Sequence, residues 1–457
     1  MPTNDTFALR SRRVVLDDQE HEATIVIDDG RIAKIMHFDE EPNCETTDVG
    51  EKVIMPGIVD THVHINEPGR TEWEGFDTAT QAAAAGGITT VVDMPLNCTP
   101  VTTSVDALHQ KLDSLKSQLW VDCGFWGGVV PDSLDDLEAL CLAGVLGAKS
   151  FTIHSGIDDF PQVGPEEMRV AIPILAKYGL PYLIHAELDK KNQPPAEIDR
   201  TYQSFLASRP REWENDAIDL IISLAKEAKA NGHQPRMHVV HLSSAEALPA
   251  IKAARESGIM ITAETCPHYL TLWAEACPDG ETLFKCCPPI REDSNRNILW
   301  EGLRQNVIDF VVSDHSPCTP ELKHIQTGDL DAAWGGISSL QFGLPLIWTE
   351  ASARGLSLSE VSRLMATEPA KFAGLGEKKG RLAEGYDADI IIFDDKASFD
   401  ITPNIIKYRH KITPYAGKKV LGTVETTILR GKRIFDNGDI LGDPVGQPLL
   451  KSWSDPR

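Results

Sequence analysis

Gly57-Ile-Val-Asp60-Thr-His62-Val-His64-Ile-Asn66-Glu-Pro-Gly-Arg70-Thr-Glu-Trp73-Glu-Gly75 runs from a short apolar strand into a turn-rich loop. Side chains two apart on a strand point the same way, so His62 and His64 converge on one point where that strand ends. Converging imidazoles suit a metal ion, although an isolated His-x-His reads equally well as two solvated histidines. The rest of the chain decides between these.

Outward from this stretch, residues 55–375 alternate short β-branched or apolar runs with helical stretches rich in Ala, Leu, Glu and Lys. That alternation is the signature of a parallel β/α architecture. Eight strand candidates cover 58–63, 89–94, 121–126, 148–153, 182–185, 237–241, 259–264 and 310–313. Helices are expected at 133–143, 166–178, 218–231 and 245–257. Eight such units close into a TIM-like (β/α)8 barrel with its reactive groups at the C-terminal ends of the strands. Long excursions after the first, fifth and seventh strands keep Trp, Pro and apolar residues, as functional loops do.

Both ends of the chain read as β instead. Residues 23–27 and 31–35 bracket the turn Asp28-Asp29-Gly30, residues 388–394 form another strand candidate, and 427–435 contains a glycine turn. The expected organisation is an α/β chain with a barrel over 55–378 and a small β-sandwich domain built from both termini, 1–54 and 379–457.

Composition narrows the partners. The 457 residues are 42% hydrophobic and 25% charged, ordinary for a soluble chain, and a formal net charge of -24 repels nucleic acid and anionic membrane alike. Residues 1–13 are polar and charged, no apolar run approaches the ~18 residues of a membrane span, and 454–457 carries no recognisable address. Nine scattered cysteines without a Cys-x-x-Cys pair fit reduced thiols in the cytoplasm, with Cys286 and Cys287 as small buried residues rather than ligands. No glycine-rich nucleotide or phosphate loop is present, so no organic cofactor is expected.

On the expected frame, His62 and His64 end the first strand, Lys149 sits in the fourth, His185 ends the fifth, His241 ends the sixth and Asp314 follows the eighth. Six candidate metal ligands therefore share one rim. Other histidines do not: His238 reads as a satisfied core residue, and His21, His37, His109, His233, His324 and His410 fall in polar stretches. Lys149 needs a separate reason, because an ammonium repels metal. Flanked by Gly147-Ala148 and Ser150-Phe151 on an inner strand, its amine is desolvated, its pKa falls, and reaction with carbon dioxide converts it to a carbamate. A carbamate is an anion with two oxygens, able to bridge two metals. Four imidazoles, a carboxylate and a carbamate suit two divalent ions, zinc first, with manganese, iron, cobalt or nickel as alternatives.

Asp60-Thr-His62-Val-His64, Gly147-Ala-Lys149, His185-Ala-Glu187, His241-Leu-Ser-Ser244 and Ser313-Asp314-His-Ser316 occur in this order. With Ser155-Gly-Ile-Asp-Asp-Phe-Pro161 and Glu264-Thr-Cys-Pro-His268-Tyr-Leu270, they make the chain resemble, over nearly its whole length, the cyclic amidohydrolase branch of the amidohydrolase superfamily. The resemblance implies a binuclear site bridged by carboxylated Lys149. His62, His64 and Asp314 would serve one metal, His185 and His241 the other, and Asp314 would also be the catalytic proton carrier. It further implies a small cyclic amide as substrate and assembly as a homo-oligomer, a dimer or tetramer.

Related enzymes open different rings. Dihydroorotases place an arginine directly before Glu-Pro, where this chain has Asn66, which favours a neutral substrate. Dihydropyrimidinases and hydantoinases carry a tyrosine shortly after the bridging lysine, where this chain has His154. Asn97 and Ser316 match family positions near the substrate, and Cys287, ahead of Pro288-Pro289, offers backbone polar groups to the ring amide. Glu67, Arg70 and Trp73 shape the first loop, while His268 and His315 are expected to pack or hydrogen-bond behind the ligands. The alternatives are a hydantoinase-, dihydropyrimidinase- or dihydroorotase-type enzyme on the same metals, and a metal-free scaffold related to dihydropyrimidinase.

Overall fold

A computed structural model describes residues 6–189 and 197–453. Residues 454–457, read as carrying no address, and the first five residues of the N-terminal stretch lie outside the described residues.

Eight parallel strand segments form where the sequence places them. They are Ile58–Val63, Ile88–Asp93, Asp122–Phe125, Ala148–Phe151, Pro181–His185, Arg236–Val239, Ile261–Thr265 and Phe310–Val311. The first three pair in parallel, and so do the fourth to the eighth. Two sets of contacts join these groups into a closed array. Leu146 N donates to Phe125 O at 2.9 Å, and Gly127–Gly128 pairs with Ala148 and Lys149. At the other seam, Val63 bridges His315 and His64 N donates to His315 O at 2.9 Å. Nearly every residue of these strands is buried, which matches their continuous apolar and β-branched composition.

Several strands end earlier than the sequence suggests, two of them shortly before a candidate ligand. The sixth stops at Val239 and the eighth at Val311, so His241 and Asp314 lie just beyond strand ends. At the eighth, the carboxylate of Asp60 takes the Ser313 N–H at 3.1–3.2 Å, replacing a ladder partner. Both His241 (φ 37°) and Asp314 (φ 44°) then turn into the left-handed region.

The helices depart from expectation mainly at their starts. The one expected at 218–231 extends over Arg211–Ala230, begins after Pro210, and buries Ile218, Ile221, Ile222 and Ala225 on one face. The stretches at 133–143 and 245–257 each open with a 3-10 turn, Pro131–Ser133 and Ala245–Ala247, before the α-helices Leu137–Leu142 and Leu248–Glu256. Pro165–Lys177 covers the fourth expected helix.

Strands from both chain ends share a single hydrogen-bonded sheet of nine strands. Gln19–Asp28 and Arg31–His37 form the hairpin around Asp29-Gly30, and Ile390–Asp400 pairs with Val53–Pro56 from the other end of the chain. Beneath it lies a small apolar cluster that includes Leu9, Ile25, Ile27, Ile54, Ile390 and Ile428. The last described residues leave this sheet. Pro448–Leu449 pairs in parallel with Cys123 and Gly124 of the third strand, and Trp453 Nε1 donates to Cys141 O at 3.0 Å. The stretch 379–457 therefore does not serve the terminal sheet alone. No helix among the described residues is long and apolar enough to cross a membrane.

Candidate active site

The six rim residues come together at the C-terminal ends of the parallel strands. His62 Nε2 lies 3.2 Å and His64 Nε2 3.6 Å from Asp314 Oδ1. His185 Nδ1 lies 3.0 Å from His241 Nε2, and the His62 and His241 rings are 5.3 Å apart. All six are buried, with Lys149 only 1% exposed.

The electrostatics fit metal ligation. Burial lowers His64 and His185 to about 4 and takes His241 well below the ordinary histidine value, so these imidazoles are neutral at pH 7. Burial pushes Asp314 up, but His62 and His64 beside it bring its carboxyl well below the usual range. Lys149 Nζ has no hydrogen-bond partner among the described residues, and burial lowers its pKa to about 7 against the opposing pull of Glu264 and Asp314. A buried amine whose pKa is lowered to about 7, set among imidazoles and a carboxylate, belongs to a nitrogen and oxygen donor set of the kind that holds divalent ions.

Three of the ligand candidates, His62, His185 and Asp314, are held from behind, whereas Lys149 Nζ and His241 Nδ1 have no hydrogen-bond partner among the described residues. His62 Nδ1 pairs with Glu264, whose other oxygen lies 3.0 Å from His238 Nε2. His238 also lies 2.7 Å from Thr262 Oγ1, so it is a satisfied core histidine. Glu187 Oε2 lies 2.7 Å from His185 Nε2, and the same carboxylate takes a two-pronged contact from Arg209, at 2.6 and 3.0 Å. Ser316 Oγ donates to Asp314 Oδ1 at 2.8 Å. Such partners fix the ring orientation and leave the inward nitrogen as a lone pair.

A cavity of about 400 Å³ opens above the cluster, lined by His64, His185, His241 and Asp314 at its base. Asn97, His154, Cys287 and Ser316 all line it. Asn97 holds a left-handed φ of 70°, its Nδ2 lies 3.5 Å from His64 Nδ1, and its buried Oδ1 has no partner among the described residues. Asn97 caps no helix, since the helix that follows it starts from Ser104. His154 stands at the exposed rim, 3.5 Å from Asp158. Cys287 is half-buried, whereas Cys286 is fully enclosed, and all nine cysteines are free.

Other positions keep to structural work. Asn66 is buried and absent from the cavity wall, its Nδ2 donating to Pro317 O at 3.3 Å. Glu67 accepts from Phe76 N at 2.9 Å, Arg70 donates to Asn97 O at 2.9 Å, and Trp73 meets the edge of Trp334 at 4.9 Å. His315 receives the N–H of Ser339 at 3.1 Å, as a loop-bonded histidine should. His268 packs, as one of its two expected roles required, on Tyr269 at 4.2 Å, and neither of its ring nitrogens has a hydrogen-bond partner among the described residues.

Sequence reasoning did not assign Arg209, Glu187 or the loop after the eighth strand, which brings Asp331 and Trp334 to Gly336 onto the cavity wall. For Glu187 the signal was present, because His185-Ala-Glu187 repeats the two-residue spacing that brought His62 and His64 together. Glu264 likewise falls within its strand at the same rim.

The comparisons agree with this geometry. The amidohydrolase family model matches residues 53–434. The chain belongs to the amidohydrolase family. It is 49% identical over 403 residues to the allantoinase of Saccharomyces cerevisiae, covering 87% of this chain and 86% of that protein. Allantoinase of Streptomyces avermitilis is 46% identical over 449 residues, 97% of this chain and 98% of its own. Among solved structures, L-hydantoinase (dihydropyrimidinase) from Arthrobacter aurescens superposes with a TM-score of 0.90 at 30% identity, covering 97% of this chain and 99% of its own. The dihydropyrimidinase from Brevibacillus agri gives 0.87 at 26% identity, with 99% and 100% covered. The family implies a divalent metal site, for which the cluster of His62, His64 and Asp314 supplies candidate ligands.

Proposed function

We infer that the chain is a hydrolase of cyclic amides with allantoinase activity, opening the ring of allantoin to give allantoate in purine (ureide) degradation. The observation that carries the site assignment is the gathering of His62, His64, His185, His241 and Asp314 at one cavity, with the buried, unpartnered Lys149 amine close enough to act on His64, His185 and His241. The closed parallel array is read as a TIM-like (β/α)8 barrel over 55–378, and the nine-stranded sheet as a small β domain from 1–54 and 379–457.

Lys149 has the pKa to react. Its neutral amine adds to carbon dioxide and releases a proton, leaving an N6-carboxylated side chain as a bridging ligand. His62, His64 and Asp314 would hold one divalent ion and His185 and His241 the other, with carboxylated Lys149 offering oxygens to both, and zinc would best match this mixed nitrogen and oxygen set. When bound, such a pair of ions supplies a water ionised near pH 7 and polarises the ring carbonyl.

The protein's own groups do the rest. Asp314 Oδ1 is engaged by Ser316 and faces His62, which leaves Oδ2 to take the proton of the attacking water and return it to the departing ring nitrogen. Asn97 Oδ1 accepts a ring N–H, and Cys287 and Ser316 line the opposite wall. The charge of each cation on the wall is already met, Arg209 by the Glu187 carboxylate and Lys285 in part by Asp331 O at 2.8 Å, which supports a neutral ring rather than a substrate carboxylate while leaving single N–H groups for neutral acceptors. Nine free thiols support a reducing, cytoplasmic setting, and a homo-oligomer remains the expected assembly.

Turnover of allantoin, hydantoin, dihydrouracil and dihydroorotate by one metal-analysed preparation tests this reading. Allantoin should give the highest kcat/KM. A higher value for any of the other three rings would overturn the substrate assignment, and a chain inactive after metal supplementation would point to the scaffold reading.

A further inference from the structure

Arg209 stands at the end of the helix Tyr202–Ser208 and lines the cavity beside Phe205, Ser208 and Cys287. Its Nε and Nη2 are fixed on the fully buried Glu187, at 3.0 and 2.6 Å, and Glu187 in turn holds His185. Nη1 has no hydrogen-bond partner among the described residues, while the side chain keeps 19% of its surface open. Two prongs of the fork are thus occupied, and the third belongs to a side chain that lines the cavity and stays partly open. A guanidinium fixed in this way is a preorganised donor, and little freedom is lost when a carbonyl oxygen docks on it.

Its position limits which carbonyl it can meet. His185 belongs to the cluster under the reacting ring carbonyl, and Arg209 lies one side chain further out, joined to it through Glu187. In allantoin the ring carbon next to the cleaved carbonyl carries a ureido arm, –NH–CO–NH2, whose oxygen is the strongest acceptor outside the ring.

Resting on the allantoin reading above, we propose that Arg209 Nη1 donates to the ureido carbonyl oxygen of the substrate and so selects ureido-substituted five-membered rings over unsubstituted hydantoin. Arg209 is then a specificity residue, separate from the groups that act on the scissile amide. A charge-assisted hydrogen bond of this kind corresponds to about tenfold or more in binding.

Arg209→Lys keeps a cation beside Glu187 but removes the fork. In this variant KM for allantoin should rise about tenfold or more. Hydantoin, read as a substrate or as an inhibition constant, should change by less than about twofold, with metal content retained. Equal losses for both ligands, or a loss of metal, would show that Arg209 acts only through Glu187 and His185 and would overturn the proposal. An unchanged KM for allantoin would overturn it as well. A second measurement uses the unaltered chain: 5-propylhydantoin, which matches the arm in length but lacks its carbonyl, should bind about tenfold more weakly than allantoin, and equal binding would contradict the role. Turnover of allantoin by the unaltered chain is recorded in parallel, so failure of the activity is distinguished from failure of the arginine's role.

Discussion

The Nδ1 atom of His185 faces the Nε2 atom of His241 at 3.0 Å, and Glu187 holds the far nitrogen of His185 at 2.7 Å. Burial leaves both imidazoles neutral, and the Glu187 carboxylate keeps the His185 proton on Nε2, so Nδ1 points inward as a lone pair. Glu187→Gln preserves the shape and removes the charge. It should weaken metal retention and activity together by about 10–100-fold. Metal analysis after dialysis against a chelator, run beside kcat, checks this. Activity lost with metal fully retained would contradict the coupling.

Gly336 sets how close the loop after the eighth strand comes to the proton carrier. It has a φ of 151°, and a Cβ there would fall 2.3 Å from Ser316 O and 2.7 Å from Ser316 Cβ. Ser316 holds Asp314, so the clash falls on that hydrogen bond. Gly336→Ala should cost about 1–3 kcal/mol of stability by overpacking. It should also lower kcat more than it raises KM, and steady-state kinetics with thermal unfolding reads both.

Much of this site was legible in the chain because strands impose a period of two and place reactive groups at their C-terminal ends. His62, His64 and His185 were picked out on that basis, whereas Lys149 needed its small and apolar neighbours and the company of the histidines. His241 and Asp314 were assigned to the right rim, but their left-handed backbone, which costs about 1–3 kcal/mol each, has no signature in residue type. Arg209 was not legible, since its partner Glu187 is 22 residues away across a long loop. Trp334 reaches the cavity through a tertiary contact with Trp73, and the two-residue strand Pro448–Leu449 is too short for any periodicity to reveal.

Lys379 joins the parallel array to the terminal sheet. Its Nζ lies 2.7 Å from Asp122, 3.1 Å from Asp387 and 2.7 Å from Asp389, and it is 3% exposed. Burial lowers its pKa, but the three carboxylates raise it more, so the folded value stands above the ordinary 10.5. A raised folded pKa adds stability that is whole below pH 10.5 and is lost as the pH rises through the folded value. Lys379→Met should destabilise the chain at pH 7 by about 3–5 kcal/mol, because buried carboxylates lose their cation. The variant should also lack that alkaline decline. Denaturant unfolding at several pH values between 7 and 12 checks both, and an unchanged midpoint at pH 7 would show that Arg430, which also pairs with Asp122, suffices for the cluster.

The central claim is that Lys149 carries the bridge between two divalent ions, and metal content of Lys149→Ala tests it most directly. The variant should lose most of its bound metal and activity, and short carboxylic acids such as acetate or propionate should restore part of both by standing in for the carbamate. Full metal content in the variant without any added acid would contradict the role assigned to Lys149.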